Sequence, residues 1–224
     1  MNKSFWLVLT LALAPGLLLG ASDNTPVLDE WQFFGKGFTA QADGGVLLSE
    51  YPGSSGVMLI SPGGYACDAR LQLDVLPMNP ESVFVVMMAA SSPGPEDSLR
   101  LPDQYDGGIG LLLNDTEAYF FALHNEAHNR TPFVRKHPYD REKSKDLATY
   151  PSHVMTRQWH GIEVEHSCDG NLRLKIDGET ILEANDAVPL RSGQIALRLR
   201  GTKTHTAAAL FRNISISATP ISQD

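Results

Sequence analysis

Tyr119, His124, His128, Arg130, Arg135, His137 and Tyr139 crowd one stretch of this sequence, with Phe120 among them. Together these side chains suit a sugar. An apolar platform takes the flat face of a sugar ring, and a few directed polar groups fix its orientation. The planar fork of arginine also matches a carboxylate. The same set could carry β-elimination on an acidic glycan. There a cation neutralises the uronate carboxylate, and a His or Tyr base removes the adjacent carbon-bound proton. In that case Arg130, Arg135, Phe120 and Tyr139 hold the substrate, while His124, His137 and Tyr119 supply the acid–base groups. The simpler alternative is a solvated loop whose histidines are unrelated.

A second pair is Glu163 and Glu165, just after Trp159. Residues two apart on a strand share a face, roughly 6.5–7 Å apart, and paired carboxylates are what glycosidases use. Jelly-roll glucanases carry a Glu-x-Asp-x-Glu pattern, whereas Ser167 holds the third position here. Two exposed glutamates on an alternating strand are the ordinary expectation.

Metal chemistry has weaker support. His124 and His128 would meet on a helix, but His124 ends an expected strand. Asp103, Asp106, Asn114 and Asp115 lie nearby. No cofactor and no zinc centre are expected. A structural calcium bound through loop oxygens stays open, with no ligands assigned. No phosphate-cradling glycine loop and no nucleophile elbow is present. Three tripeptides, starting at Asn114, Asn129 and Asn213, match the N-glycosylation acceptor.

The elements that must position these groups read as strands. Leu71, Leu73 and Val75 alternate with Arg70, Gln72 and Asp74. The same period of two runs through 162–166, 172–177 and 195–200, which puts one set on a core and the other on an open face. Segments 83–88, 109–113 and 118–123 are apolar throughout and are expected to be central strands, covered on both sides or lining a groove. The runs 162–167 and 172–177, joined around Asp169-Gly170, predict a hairpin. Residues 125–158 are polar, basic and without clean period. A loop of that length is functional, disordered or a misread element. Residues 91–103, with Pro93-Gly94-Pro95, form a second expected surface loop. The fold class is therefore all-β, a two-sheet antiparallel sandwich.

The bulk properties agree with a globular domain. The chain has 224 residues, 42% hydrophobic and 20% charged, with net charge −8. That balance disfavours a nucleic-acid partner, which expects a basic footprint. Residues 1–22 read as an export signal: Lys3, an apolar run from Phe5 to Ala14, the break at Pro15-Gly16, and the small residues Gly20, Ala21 and Ser22. The remainder, 23–224, reads as one sandwich domain, secreted or periplasmic, with no membrane contact after cleavage. Cys67 and Cys168 are an even pair in an exported chain, so one bridge is expected; two buried thiols are the alternative.

The second half has a further layout. Gly108-Ile109-Gly110-Leu111 precedes 118–124. The segment Arg130-Thr131-Pro132-Phe133-Val134-Arg135 follows, then Trp159, the hairpin, Gly193-Gln194-Ile195 and Phe211-Arg212-Asn213-Ile214. This resembles the concanavalin A-like, laminin-G-like jelly rolls. Within them it looks most like a bacterial family of unassigned function linked to rhamnogalacturonan-degradation loci. The resemblance covers residues 30–218 loosely and 105–216 better. It implies two stacked antiparallel sheets with one concave face offered to a glycan. The expected function is a secreted carbohydrate-interacting protein, binding or processing a plant or algal polysaccharide on that face. A polysaccharide lyase for an acidic glycan and a non-catalytic structural or adhesion module are the alternatives.

Overall fold

The computed structural model describes residues 28–221 apart from 43–44, 95–96, 103, 124–130, 152, 154 and 156. The proposed export signal therefore lies outside the described residues. The strands are β1 (Gln32–Gly35), β2 (Gly37–Ala42), β3 (Gly45–Glu50), β4 (Val57–Ala66), β5 (Ala69–Pro77), β6 (Val83–Ser91), β7 (Glu117–Leu123), β8 (Phe133–Pro138), β9 (Lys145–Thr149), β10 (His160–His166), β11 (Asn171–Ile176), β12 (Glu179–Asn185), β13 (Ser192–Arg200) and β14 (Ala208–Ser217). A short helix, α1 (Ile109–Asp115), precedes β7.

The strands form two antiparallel seven-stranded sheets. The first runs β1-β4-β13-β6-β7-β8-β9 and the second β12-β11-β10-β5-β14-β3-β2. The period of two does what alternation demands. Leu71, Leu73 and Val75 of β5 and Val164 of β10 turn inward, while Arg70 and Gln72 are exposed beside them. The expected hairpin is present, with Val164 opposite Leu174 and Glu165 opposite Arg173. Gly170 closes it at φ +88°, where a side chain would collide with the Asp186 carbonyl. Between the sheets lies the main core, where Phe84 and Phe211 meet at 5.3 Å between centroids. Each such fully buried aliphatic or aromatic side chain contributes roughly 1.5–3 kcal/mol.

A second apolar cluster sits on the far side of the first sheet. Met58, Ile60, Val85, Met87, Ala118 and Phe120 point away from the main core there. Every residue of β6 is buried, and so is every residue of β7 after Glu117. The expectation of central strands at 83–88 and 118–123 is met. The third run, 109–113, is a helix and not a strand. Ile109, Leu112 and Leu113 are spaced three and four apart, so one helical face carries all three onto this cluster. Leu99 and Leu101 of the long connection after β6 pack there too. The expected loop 125–158 is corrected as well, because it contains β8 and β9.

Cys67 and Cys168 form a disulfide with 4.9 Å between Cα atoms, joining the β4–β5 and β10–β11 turns. Arg191 braces the joint. Its backbone carbonyl accepts from Cys67 N–H and its guanidinium donates to the Cys168 carbonyl. No described helix is long and apolar enough to cross a membrane.

Candidate functional site

α1 and the connection before it cover most of the outer face of the first sheet. What they leave is the strip formed by β8 and β9. Along β8, Val134 turns into the main core, while Phe133, Arg135 and His137 face the other way. The register sets Arg135 opposite Asp146 of β9. The Arg135 guanidinium grips that carboxylate with two donors, Nε to one oxygen and Nη2 to the other at 3.0 Å. It also lies over the Phe133 ring, 4.7 Å from the centroid. The Asp146 hydrogen bonds raise the arginine pKa further and hold it charged.

His137 sits beside this pair, almost fully buried. Its Nδ1 meets Ser144 Oγ at 2.6 Å, and its ring contacts Phe120 edge-on at 4.3 Å. Burial, then the positive charge of Arg135, lowers its pKa to about 4. The imidazole is thus neutral near pH 7. Leu113, Arg135, His137, Ser144 and Asp146 line an open-sided cavity of about 270 Å³, just below the range for small-ligand pockets.

The structure brings Arg135, His137 and Phe120 together and leaves Tyr119 and Tyr139 outside that group. Phe120 is buried under α1 and contacts the pocket through the His137 ring. Tyr119 lies on the opposite face of β7, inside the main core. Its hydroxyl donates to Asp186 Oδ2 at 2.6 Å and accepts from Leu190 N–H at 3.0 Å. Burial first, then that bond to Asp186, pushes the phenol pKa up. Lys136 donates to the same Asp186 oxygen. Tyr139 hydrogen-bonds Ser91 at 3.0 Å and is not part of the pocket lining. His124, His128 and Arg130 lie outside the described residues. Sequence reasoning missed Leu113, Ser144 and Asp146. Only knowledge that β8 and β9 pair, in this register, would have joined Asp146 to Arg135.

Glu163 and Glu165 lie on the exposed face of the second sheet, and both are occupied. Glu165 pairs with Arg70 at 2.6 Å and Arg173 at 3.0 Å. Glu163 pairs with Lys175 at 2.6 Å and accepts from Gln72 at 2.8 Å. The Lys175 hydrogen bond lowers the Glu163 pKa, the reverse of what a general acid needs. Among the described residues no group of three or more His, Cys, Asp or Glu side chains could hold a metal ion.

Chemically, the pocket offers a cation spread over an aromatic face, a fixed carboxylate, a hydroxyl and a neutral imidazole. His137 and Ser144 touch as a base and a nucleophile would, but among the described residues no carboxylate is hydrogen-bonded to the His137 ring to orient it. The arrangement is better suited to holding hydroxyl groups than to attacking a carbonyl.

The fold is a galectin-like jelly roll. One similar structure is a protein of unknown function with a galectin-like fold from Bacillus subtilis. It has a TM-score of 0.69 at 16% identity, covering 88% of this chain and 92% of that one. A carbohydrate-binding module from Bacillus subtilis matches with a TM-score of 0.58 at 14% identity, over 87% of this chain and 98% of its own. The carbohydrate recognition domain of Emp47p matches with a TM-score of 0.59 at 12% identity, over 89% and 96%. At these identities the likeness speaks for the fold alone. No protein-family model matches the chain, and a search of curated proteins finds no relative.

Proposed function

We propose that this is an exported carbohydrate-interacting protein that binds a plant or algal polysaccharide in the pocket beside β8 and β9. One observation carries the reading. Arg135 is laid on Phe133 and forked to Asp146 beside the His137–Ser144 pair. Donors and acceptors are fixed in advance next to an apolar surface, which lowers the entropy lost on binding. Two of the similar structures are a carbohydrate-binding module and a carbohydrate recognition domain, which supports the same ligand class. The disulfide suits an oxidising compartment, in keeping with residues 1–22 as an export signal. The resemblance to proteins of rhamnogalacturonan loci makes a pectic polymer the first ligand to try.

A lyase on the same strip is the second reading. The neutral His137 imidazole favours it, since a base must hold its lone pair at working pH. Against it, the Arg135 charge is already matched by Asp146, leaving less to neutralise a uronate.

One experiment separates the two. The protein is incubated with neutral and acidic polysaccharides while gel retardation, reducing ends and the ultraviolet absorbance of unsaturated uronates are followed. Retardation without products, abolished in Arg135→Ala, is the expected result. Ultraviolet-absorbing products that vanish in His137→Gln while retardation persists would establish the lyase. Retardation unchanged in Arg135→Ala would remove this pocket from either account.

A further inference from the structure

The end of the sandwich opposite the disulfide carries a pocket that the reading above leaves unused. The β3–β4, β5–β6 and β13–β14 connections converge there around a cavity of about 350 Å³. Glu50, Tyr51, Asn79, Glu81, Lys203 and His205 are among its lining residues. Most of these polar groups have partners. Asn79 donates to the Thr206 carbonyl at 2.6 Å and accepts from Ser82 at 2.6 Å, and His205 Nδ1 meets Thr204 Oγ1 at 2.9 Å.

Glu50 is different. Only 5% of it is exposed. Its Oε2 accepts from Gly201 N–H at 2.7 Å and Ala207 N–H at 2.8 Å, but its Oε1 is buried without a hydrogen bond of normal geometry, the nearby Ser54 hydroxyl donating instead to the Gly56 carbonyl at 3.1 Å. A buried acceptor left unmade is expensive, on the order of 1–3 kcal/mol, and a carboxyl group with spare acceptor capacity in the lining of a cavity can be satisfied by a ligand hydroxyl or a water.

The rim supplies the other half of the argument. Among the described residues the exposed large apolar side chains are Phe38, Tyr51, Met78 and Val188. Three of them gather at this end. Tyr51 lines the pocket, Phe38 packs on Tyr51 with centroids 5.5 Å apart, and Met78 directly precedes Asn79. An exposed aromatic pair beside a polar cavity matches a ligand with one apolar face and many hydroxyls.

We propose that this end pocket is a second carbohydrate contact, which takes the terminal residue of a neutral glycan with its ring against Tyr51 and a hydroxyl directed at the Glu50 carboxyl group. The assignment rests on the carbohydrate reading above but on none of the residues of the first pocket. The neutral class follows from the balance of the lining, where Glu50 and Glu81 face Lys203 and His205, and His205 lies 3.8 Å from Glu81, so no surplus positive charge is left to hold a uronate.

The full chain is titrated, under residue-resolved NMR, with neutral tetrasaccharides of galactan, arabinan, xylan and β-glucan, and with tetragalacturonate. At least one neutral tetramer is expected to shift the amides of 51–54 and 202–206 saturably. Tyr51→Ala should weaken that binding at least tenfold, and this exposed substitution leaves the fold intact. Tetragalacturonate should not compete at these amides. The proposal is overturned if no neutral tetramer moves them, if Tyr51→Ala binds as well as the wild type, or if tetragalacturonate binds there more tightly. Shifts at Leu113, Arg135 and Asp146 report the first pocket separately. Shifts confined to those residues sink the second contact alone, and shifts confined to the end pocket sink the first alone.

Discussion

The two outer faces of the sandwich are built from the same alternating strands and end in opposite conditions. On the second sheet the outward residues of β5, β10 and β11 are Arg70, Gln72, Glu163, Glu165, Arg173 and Lys175, which answer one another across the strands. That face is closed by charge pairing and stays in water. On the first sheet the outward residues of β4, β6 and β7 are Met58, Ile60, Val85, Met87 and Phe120. That face cannot remain wet, so α1 and Leu99 and Leu101 lie over it. The β8–β9 strip is what this cover fails to reach. The contrast shows that alternation identifies which residues leave the core, while the chemistry of those residues decides whether water or more protein meets them.

The largest test of this contrast is Phe120→Ala. It removes the ring that both α1 and His137 pack on, and should lower stability by about 3–5 kcal/mol, read as a drop in the urea midpoint. A loss as small as that of a surface substitution would mean that the cover is not part of the folded core.

Acid should act next, through the covered side. Burial and Arg135 depress the His137 pKa from 6.5 to about 4. The unfolded chain therefore takes up this proton first as the pH falls. The contribution is whole above pH 6.5, declines below it and is gone near pH 4. Burial depresses His166 and His153 in the same direction. Urea midpoints measured from pH 7.5 to 4 should fall, and His137→Gln should flatten part of that slope. An unchanged slope in the variant would show that His137 is not held neutral.

Arg135→Ala should cost the strip about tenfold or more in glycan affinity, roughly 1.4 kcal/mol, while stability changes by less than about 1 kcal/mol, because its partner Asp146 is partly exposed. Gel retardation beside the urea midpoint separates the two effects. The smallest response should come from the other face. Glu163→Gln and Glu165→Gln each alter exposed or half-exposed ion pairs and should shift stability by no more than about 1 kcal/mol, with no change in polysaccharide binding. Loss of binding in either would reopen the second sheet as the ligand face.

How legible this was depended on burial. β5, β10 and β11 have one wet and one dry face, so their pattern was plain in Leu71-Gln72-Leu73 and Val164-Glu165-His166. The run Ile109 to Leu113 was not, because a short apolar stretch fits a buried strand or a helix equally well. Its helical form is set by the cluster it covers. β8 was hidden because neither of its faces is uniform. Val134, Lys136 and Pro138 alternate with Phe133, Arg135 and His137, and Lys136 turns a charge toward Asp186. The interest of Arg135 and His137 was readable from their types. Asp146 and Ser144 were not, since their partnership depends on the β8–β9 register, with a bulge between Val134 and Arg135.

The Cys67–Cys168 bond also decides how the chain would behave under load. A protein held at a surface can be pulled from its ends. The bridge spans a sequence separation of 101, so the chain from the β4–β5 turn to the β10–β11 turn lies in a covalent loop outside the load path. Stretched end to end, the oxidised chain should release roughly 330–360 Å less contour than the reduced one, at about 3.3–3.6 Å per residue. β5 through β10, including the β8–β9 strip, fall inside that loop. They can lose their fold under tension but cannot be drawn out into a line, which keeps the strip's pieces near enough to reassemble when the tension is released.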